Sequence, residues 1–241
     1  MNPPPLMQLD ALKSARETKK MKPLPISELE LCERYEALFT AAVNDVLRER
    51  NLTHQTLPHN IMPLRENMKV AGAAFTIKGA KSLLIKDEMK ERAEMLESIP
   101  QNSVVAWDTS GDDESAQWGE VMTMAANKRG CRGAVVDGGV RDTDRVLTQS
   151  FPVFVKYRSS NGMLGRFRIS GWQLPIQIGE VSIFPGDIVF GDIDGVIVVP
   201  RDIAYDVLLR AEEIANGEGQ LKQWVQEGLP TTEIVKRGGY F

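Results

Sequence analysis

A chain of 241 residues is long enough for one large domain and can bury a core without disulfides. Its 29 Lys and Arg against 33 Asp and Glu give a formal net charge of −4, with 42% hydrophobic and 26% charged residues, the balance of an ordinary globular protein. That balance argues against a nucleic-acid or membrane surface, and no run reaches the ~18–20 apolar residues that a membrane span needs.

The opening residues, MNPPPLMQLDALKSARETKK, lack the apolar centre of a signal peptide, so a cytoplasmic location is expected. Residues 1–25 are rich in Pro, Lys and polar groups and read as an N-terminal arm. Ser27 and Glu30 form a capping box, and apolar residues recur at Leu31, Tyr35, Leu38, Phe39, Ala42, Val43, Val46 and Leu47. This spacing predicts a helix over 28–50. Residues 51–63 are polar and read as a loop holding the two histidines, His54 and His59. A His-rich metal site is thereby excluded, and a Ser-His-Asp triad would need one of these loop residues. The two cysteines, Cys32 and Cys131, form no zinc or redox pattern and read as packed free thiols.

VAGAAFTI (70–77) predicts a buried strand, 86–98 a charged amphipathic helix, and SVVAW (103–107) a second strand. A polar loop at 108–113 leads into a helix over about 114–129, ended by Gly130. GAVVD (133–137) is another buried strand, followed by a Gly138-Gly139 turn, a helix over about 142–150 and a strand at 152–156. This alternation is the pattern of parallel βαβ units. Short strands at 176–178, 181–184, 187–190 and 196–199, broken by Gly- and Pro-containing turns, predict an antiparallel, meander-like region. Helices over about 202–215 and 220–226 and a polar tail at 228–241 complete the chain. The reading is one α/β domain over 26–227 with helical extensions at both ends.

Two segments carry chemistry. Gly138-Gly139-Val140-Arg141-Asp142 follows a buried strand, at the end of the sheet where open α/β folds bind ligands. Arg141 offers a planar fork suited to a carboxylate. Asp142, at a helix start, can cap that helix or bind a hard cation; on the turn alone a cap is the simpler role. Trp118-Gly119-Glu120 lies in the second segment, on the same side of the sheet, near free helix N–H groups that can hold an anion. Glu120 can act as a general acid or base, hold a metal-bound water, or be a solvated helix charge. Trp118 is more simply core. Arg, Glu and Asp without His or Cys suit Mg²⁺ or Mn²⁺, which can polarise a 2-oxo acid and stabilise an enolate.

WGEVMTMAANKRGCRGAVVDGGVRDTDRV, then FPVFVK and PGDIVFGDIDGVIVVP, resembles the family of 4-hydroxy-4-methyl-2-oxoglutarate aldolases and the regulator of ribonuclease activity A. The resemblance runs over roughly 70–215 and more loosely near Asn44-Asp45. It implies a swivelling β/β/α domain. It implies that Gly119, Glu120, Val121 and Met122 line a keto-acid pocket, partly through backbone amides. Arg141 would bind the substrate carboxylate and carbonyl, and Asp142 would hold Mg²⁺ or Mn²⁺ largely through water. Glu120 would position a water that protonates a pyruvate enolate; the family's aldolases more often carry Asp there. The resemblance also implies homotrimers, often paired into hexamers, with a neighbouring subunit's acid completing each site. Glu212 and Glu213 are the candidates for that acid. Asp192-Ile193-Asp194-Gly195 reads as a turn rather than a metal loop.

The expected function is aldol cleavage of a 4-hydroxy-2-oxo acid to pyruvate, with oxaloacetate decarboxylation beside it. Two alternatives are a non-catalytic regulator that binds a ribonuclease, and a lyase or dehydratase on another keto or sugar acid. The segment 81–101, and 157–172 with Arg158, Arg166 and Arg168, can reshape the pocket. Neither nucleic acid nor membrane is an expected partner.

Overall fold

The computed structural model describes residues 23–239, so most of the expected N-terminal arm lies outside the described residues. The helix expected over 28–50 is two helices, α1 (Glu28–Glu36) and α2 (Thr40–Glu49). Ser27 caps α1 as expected, its hydroxyl accepting from the Glu30 N–H at 3.1 Å. Phe39 is extended and breaks the run. The break is fixed from far away: the backbone N–H and the hydroxyl of Thr40 both donate to the Asp192 carboxylate at 2.8 Å.

Strands β1 (Met62–Pro63), β2 (Val70–Lys81), β3 (Ser103–Asp108), β4 (Ala116–Trp118), β5 (Gly133–Val140) and β6 (Val153–Arg158) alternate with helices α3 (Glu88–Glu97), α4 (Glu120–Lys128) and α5 (Thr143–Leu147). The pairs β2–β3, β3–β5, β4–β5 and β5–β6 are parallel, as the alternation required. Their near-continuous apolar runs reflect burial on both faces. The later strands are β7 (Phe167–Trp172), β8 (Ile176–Ile178), β9 (Val181–Ile183), β10 (Ile188–Asp192) and β11 (Gly195–Val199). Strands β7 and β10 pair antiparallel to β2, and β11 pairs to β10.

The order β1-β6-β5-β3-β2-β10-β11 curls until its edges nearly meet, because β1 pairs with β6 while Thr56 bridges to Ile197 of β11. The inner face packs Ala74, Val104, Val135, Phe154 and Val189 against the β8–β9 hairpin. Gly191 is needed there, since a Cβ would lie 2.9 Å from the Phe154 ring. The opposite face carries Phe75, Trp107 and Val136 under α3 and α4, and Phe190 and Val199 under α1, α2 and the long α6 (Ala204–Gln226).

Four expectations are corrected. The helix expected from 114 begins at Glu120, and residues 116–118 are instead a short strand on β5. Gly138 and Gly139 lie inside β5 rather than in a turn. Residues 204–226 are one helix rather than two, because Gly217 and Gly219 are tolerated within it. Within the expected polar tail, α7 (Thr231–Lys236) forms and buries Ile234. Among the described residues no helix is long and apolar enough to cross a membrane.

Candidate active site

The pairing of β4 with β5 sets the site. Ala116 and Trp118 lie in register with Gly139 and Val140, and the Arg141 N–H donates to the Trp118 carbonyl at 3.0 Å. Gly119-Glu120 and Arg141-Asp142 therefore leave the sheet side by side, at the carboxyl ends of parallel strands. Gly119 permits the approach, since a Cβ would lie 3.1 Å from Arg141 Cγ and 3.2 Å from Asp142 Oδ2.

Helix α4 starts directly after Gly119, with no side-chain cap. The first-turn N–H groups of Glu120, Val121 and Met122 have no intrahelical acceptors and suit an anion. Trp118 fixes this start from beneath. Its indole N–H donates to Thr123 Oγ1 at 2.8 Å, and its ring stacks on Phe151 at 6.2 Å. Trp118 is core, as read, and one edge also lines the cavity.

Asp142 does not cap α5, which corrects the simpler reading of that residue. It sits in the left-handed region at φ 52° and makes no side-chain cap bond. Instead Oδ2 accepts from Arg141 Nε at 3.2 Å. A short polar residue tolerates this backbone at modest cost, and such positions recur at functional turns.

Residues of the two predicted segments share one cavity of about 350 Å³. Gly119 to Met122 line it together with Trp118, Arg141 and Asp142. Gly138 and Gly139 do not; a Cβ on Gly138 would collide with the Gln117 amide, and one on Gly139 with the Tyr157 ring. Glu120 is held at the edge by Arg145, with Nη1 3.2 Å from Oε2. Glu120 in turn holds the Arg145 guanidinium above its usual range. Sequence reading missed Arg145; its place one turn beyond Asp142 on α5 was the available signal. It also missed Gly162, which leaves room for Arg141 Nη1, and the α3 face that supplies a cavity wall.

Two expectations concern other residues. Glu212 accepts from Arg34 at 2.8 and 2.6 Å, and Glu213 pairs with Arg210 at 3.0 Å; neither lines this cavity. Among the described residues no group of three or more His, Cys, Asp or Glu is placed to hold a metal ion. The cavity nonetheless presents two hard carboxylates, Asp142 and Glu120. One or two carboxylates with a largely aqueous shell suit Mg²⁺ or Mn²⁺.

On the far side of the sheet, sequence reading also missed a charged row. Lys78 and Asp108 are cross-strand partners 2.5 Å apart, and Asp137 pairs with Lys156 on the next two strands. Asp108 also accepts from the Gln177 N–H at 3.2 Å, tying the β8–β9 hairpin down. Burial pushes the Asp137 carboxyl up, against the opposing pull of Lys156. Burial likewise pushes the Cys32 thiol up to about 11, and both cysteines are free and buried as read.

The cavity lies on the nearly closed mixed sheet of an α/β protein. A family model described as RraA-like: Aldolase/RraA matches residues 40–198, and the chain belongs to the RraA-like family. A Halalkalibacterium halodurans protein, provisionally named as a 4-hydroxy-4-methyl-2-oxoglutarate aldolase, is 31% identical over 187 residues, covering 78% of this chain and 84% of that protein. Protein DlpA of Legionella pneumophila is 30% identical over 169 residues, 70% of this chain; the match spans 28% of that longer relative. A crystal structure described as that of novel cellulases from microbes associated with the gut ecosystem is 52% identical, with a TM-score of 0.86. That match covers 89% of this chain and 96% of the solved one.

Proposed function

We propose that the protein is a divalent-metal-dependent pyruvate aldolase of the cytoplasm. It cleaves a 4-hydroxy-2-oxo acid resembling 4-hydroxy-4-methyl-2-oxoglutarate, and decarboxylates oxaloacetate as a second activity. It works as a homotrimer or hexamer. The observation that carries this reading is the meeting, in one cavity, of the α4 N-terminus, the Arg141 fork and an Asp142 carboxylate that caps nothing.

Both reactions break the bond next to C3 of a 2-oxo acid and leave the electron pair as a pyruvate enolate. A bound Mg²⁺ or Mn²⁺ supplies the Lewis acidity that stabilises such an enolate. Asp142 would hold the ion, with water completing its shell. Arg141 and the N–H groups of Glu120, Val121 and Met122 orient the substrate carboxylate and offset the charge developing on the carbonyl oxygen. Gly119 keeps that surface open. Glu120 positions a water that takes up the proton of the 4-hydroxyl as the bond breaks and returns one to C3, leaving pyruvate. Arg145 fixes the longer Glu120 side chain at the edge of the site.

The test is pyruvate release from 4-hydroxy-4-methyl-2-oxoglutarate and from oxaloacetate, with added Mg²⁺ or Mn²⁺. EDTA should abolish it. Asp142→Ala and Arg141→Ala should each lower kcat/KM by about 10²–10³-fold or more, the scale of losing a principal electrostatic contact. Full turnover in EDTA or in Asp142→Ala would overturn the metal mechanism. No turnover on any hydroxy-keto acid, with tight binding to a ribonuclease, would favour the regulator instead. Cellulose hydrolysis belongs in the same assay set because of the solved relative's description. It is expected to be absent, because Trp118, the one aromatic side chain lining the cavity among the described residues, is 1% exposed and offers no sugar-stacking face.

A further inference from the structure

One face of α3 forms a cavity wall through Met89, Arg92, Ala93 and Leu96, spaced as successive positions of a single helical stripe. Three of the four are apolar and one is an arginine. Arg92 pairs with Glu88 one turn earlier. Such pairs normally sit in water, where they contribute little. This one does not: the side chains are 17% and 2% exposed. Sequestering an ion pair is unfavourable unless further hydrogen bonds complete both shells. Here they do not, since Arg92 Nε and Glu88 Oε2 are buried with no hydrogen-bond partner.

Arg141 also pairs with a single carboxylate, but in a more open setting, the two side chains being 47% and 36% exposed. Its Nε is steadied by one carboxylate, Asp142, and its Nη1 lies over Gly162. The cavity thus holds two guanidinium groups, each anchored by one acid. A guanidinium has five N–H donors, so each retains donors for a ligand. A monocarboxylic 2-oxo acid held at Arg141 would leave Arg92 facing an apolar chain end. A second carboxylate would give it charge-assisted hydrogen bonds.

Resting on the 2-oxo acid reading of the site, we propose that Arg92 is a specificity-determining residue. It receives a second carboxylate, at the end of the substrate remote from the 2-oxo acid group. Glu88 is its positioning residue, holding the guanidinium through Nη2. Sites built to hydrogen-bond a polar group discriminate strongly against analogues that lack it.

The test compares binding of 2-oxoglutarate and 2-oxopentanoate, which differ in a carboxylate or a methyl at the far end, by calorimetry with Mg²⁺ present. The wild-type chain should prefer 2-oxoglutarate by about 30-fold or more, in line with losing one charge-assisted contact. In Arg92→Met the preference should fall to within about 3-fold, chiefly through weaker 2-oxoglutarate binding. Because that variant strands a buried Glu88, the double variant Glu88→Gln/Arg92→Met is measured beside it and should show the same loss. No preference in the wild type, or a preference that survives in either variant, would overturn the role of Arg92. Pyruvate release is scored separately. A wild type that discriminates by binding yet turns over no hydroxy-keto acid would defeat the aldolase reading alone. Turnover with an unchanged preference in Arg92→Met would defeat only this inference.

Discussion

Glycine serves two different ends within a few residues of the site, and substitution separates them. At Gly119 an added Cβ meets Arg141 Cγ at 3.1 Å and Asp142 Oδ2 at 3.2 Å, both parts of side chains that can yield. Gly119→Ala should therefore leave the melting temperature within about 2 °C while lowering kcat/KM by about 10–100-fold, since displacing reacting groups by under an ångström is costly. At Gly139 the added Cβ meets the Ser115 carbonyl at 2.8 Å as well as the Tyr157 ring, and backbone cannot yield cheaply. Gly139→Ala should lose about 1–3 kcal/mol in urea unfolding, the usual cost of overpacking. Equal thermal and kinetic losses in the two variants would show that the distinction is wrong. The glycine pair was legible as a signal but not in its cause. A Gly-Gly step looks the same in sequence whether a ligand or a neighbouring Gln117 and Tyr157 needs the space. Arg141 and Asp142 were legible in place, but whether Asp142 caps α5 depended on a φ that sequence does not encode.

Elements follow the same division. The parallel units, the meander strands and α3 were readable because periodicity and punctuation are local. The break between α1 and α2, strand β4 and strand β7 were not, because their partners lie far along the chain. Asp192 shows why. Its buried carboxylate accepts from Thr40 twice at 2.8 Å and from the Asp194 N–H at 3.0 Å, so one turn residue ends one helix boundary and shapes its own loop. Asp192→Ala leaves those donors without an acceptor and should cost about 1–3 kcal/mol; a change under about 0.5 kcal/mol in urea unfolding would deny Asp192 this role. The charged row across β2, β3, β5 and β6 predicts a pH effect. Burial raises the folded-state pKa of Asp137 above its unfolded value. Its contribution to stability is thus fullest below about pH 4, the unfolded value, and declines as pH rises through the folded value. The stability of wild type relative to Asp137→Asn should fall between pH 4 and 7; a difference that grows with pH would reverse the sign.

At the scale of the whole molecule, several large apolar side chains stand exposed, and two of them belong to the site. Leu83 is 86% exposed, Leu84 65% and Val121 71%, with Ile85, Met89 and Met124 exposed as well. Leu83 to Ile85 lead into α3, while Met89 and Val121 line the cavity itself. Exposed apolar side chains at a cavity, as Met89 and Val121 are, suit a surface that another molecule covers. The proposed trimer or hexamer supplies a second copy of the chain as that molecule, and the cover would exclude water from the cavity and strengthen its electrostatics. Glu212 is already taken by Arg34 within its own chain, which leaves Glu213, on the looser pairing with Arg210, the better candidate for an acid offered to a neighbour. Light scattering on the full chain should give a mass of three or six chains. Leu83→Glu/Leu84→Glu should shift it toward the monomer, because each buried charge opposes association, and pyruvate release should fall with the trimer fraction. Glu213→Gln should leave the mass unchanged and lower kcat if that residue reaches across. A monomer with full turnover would separate the cavity from any assembly and return the exposed apolar side chains to a different partner.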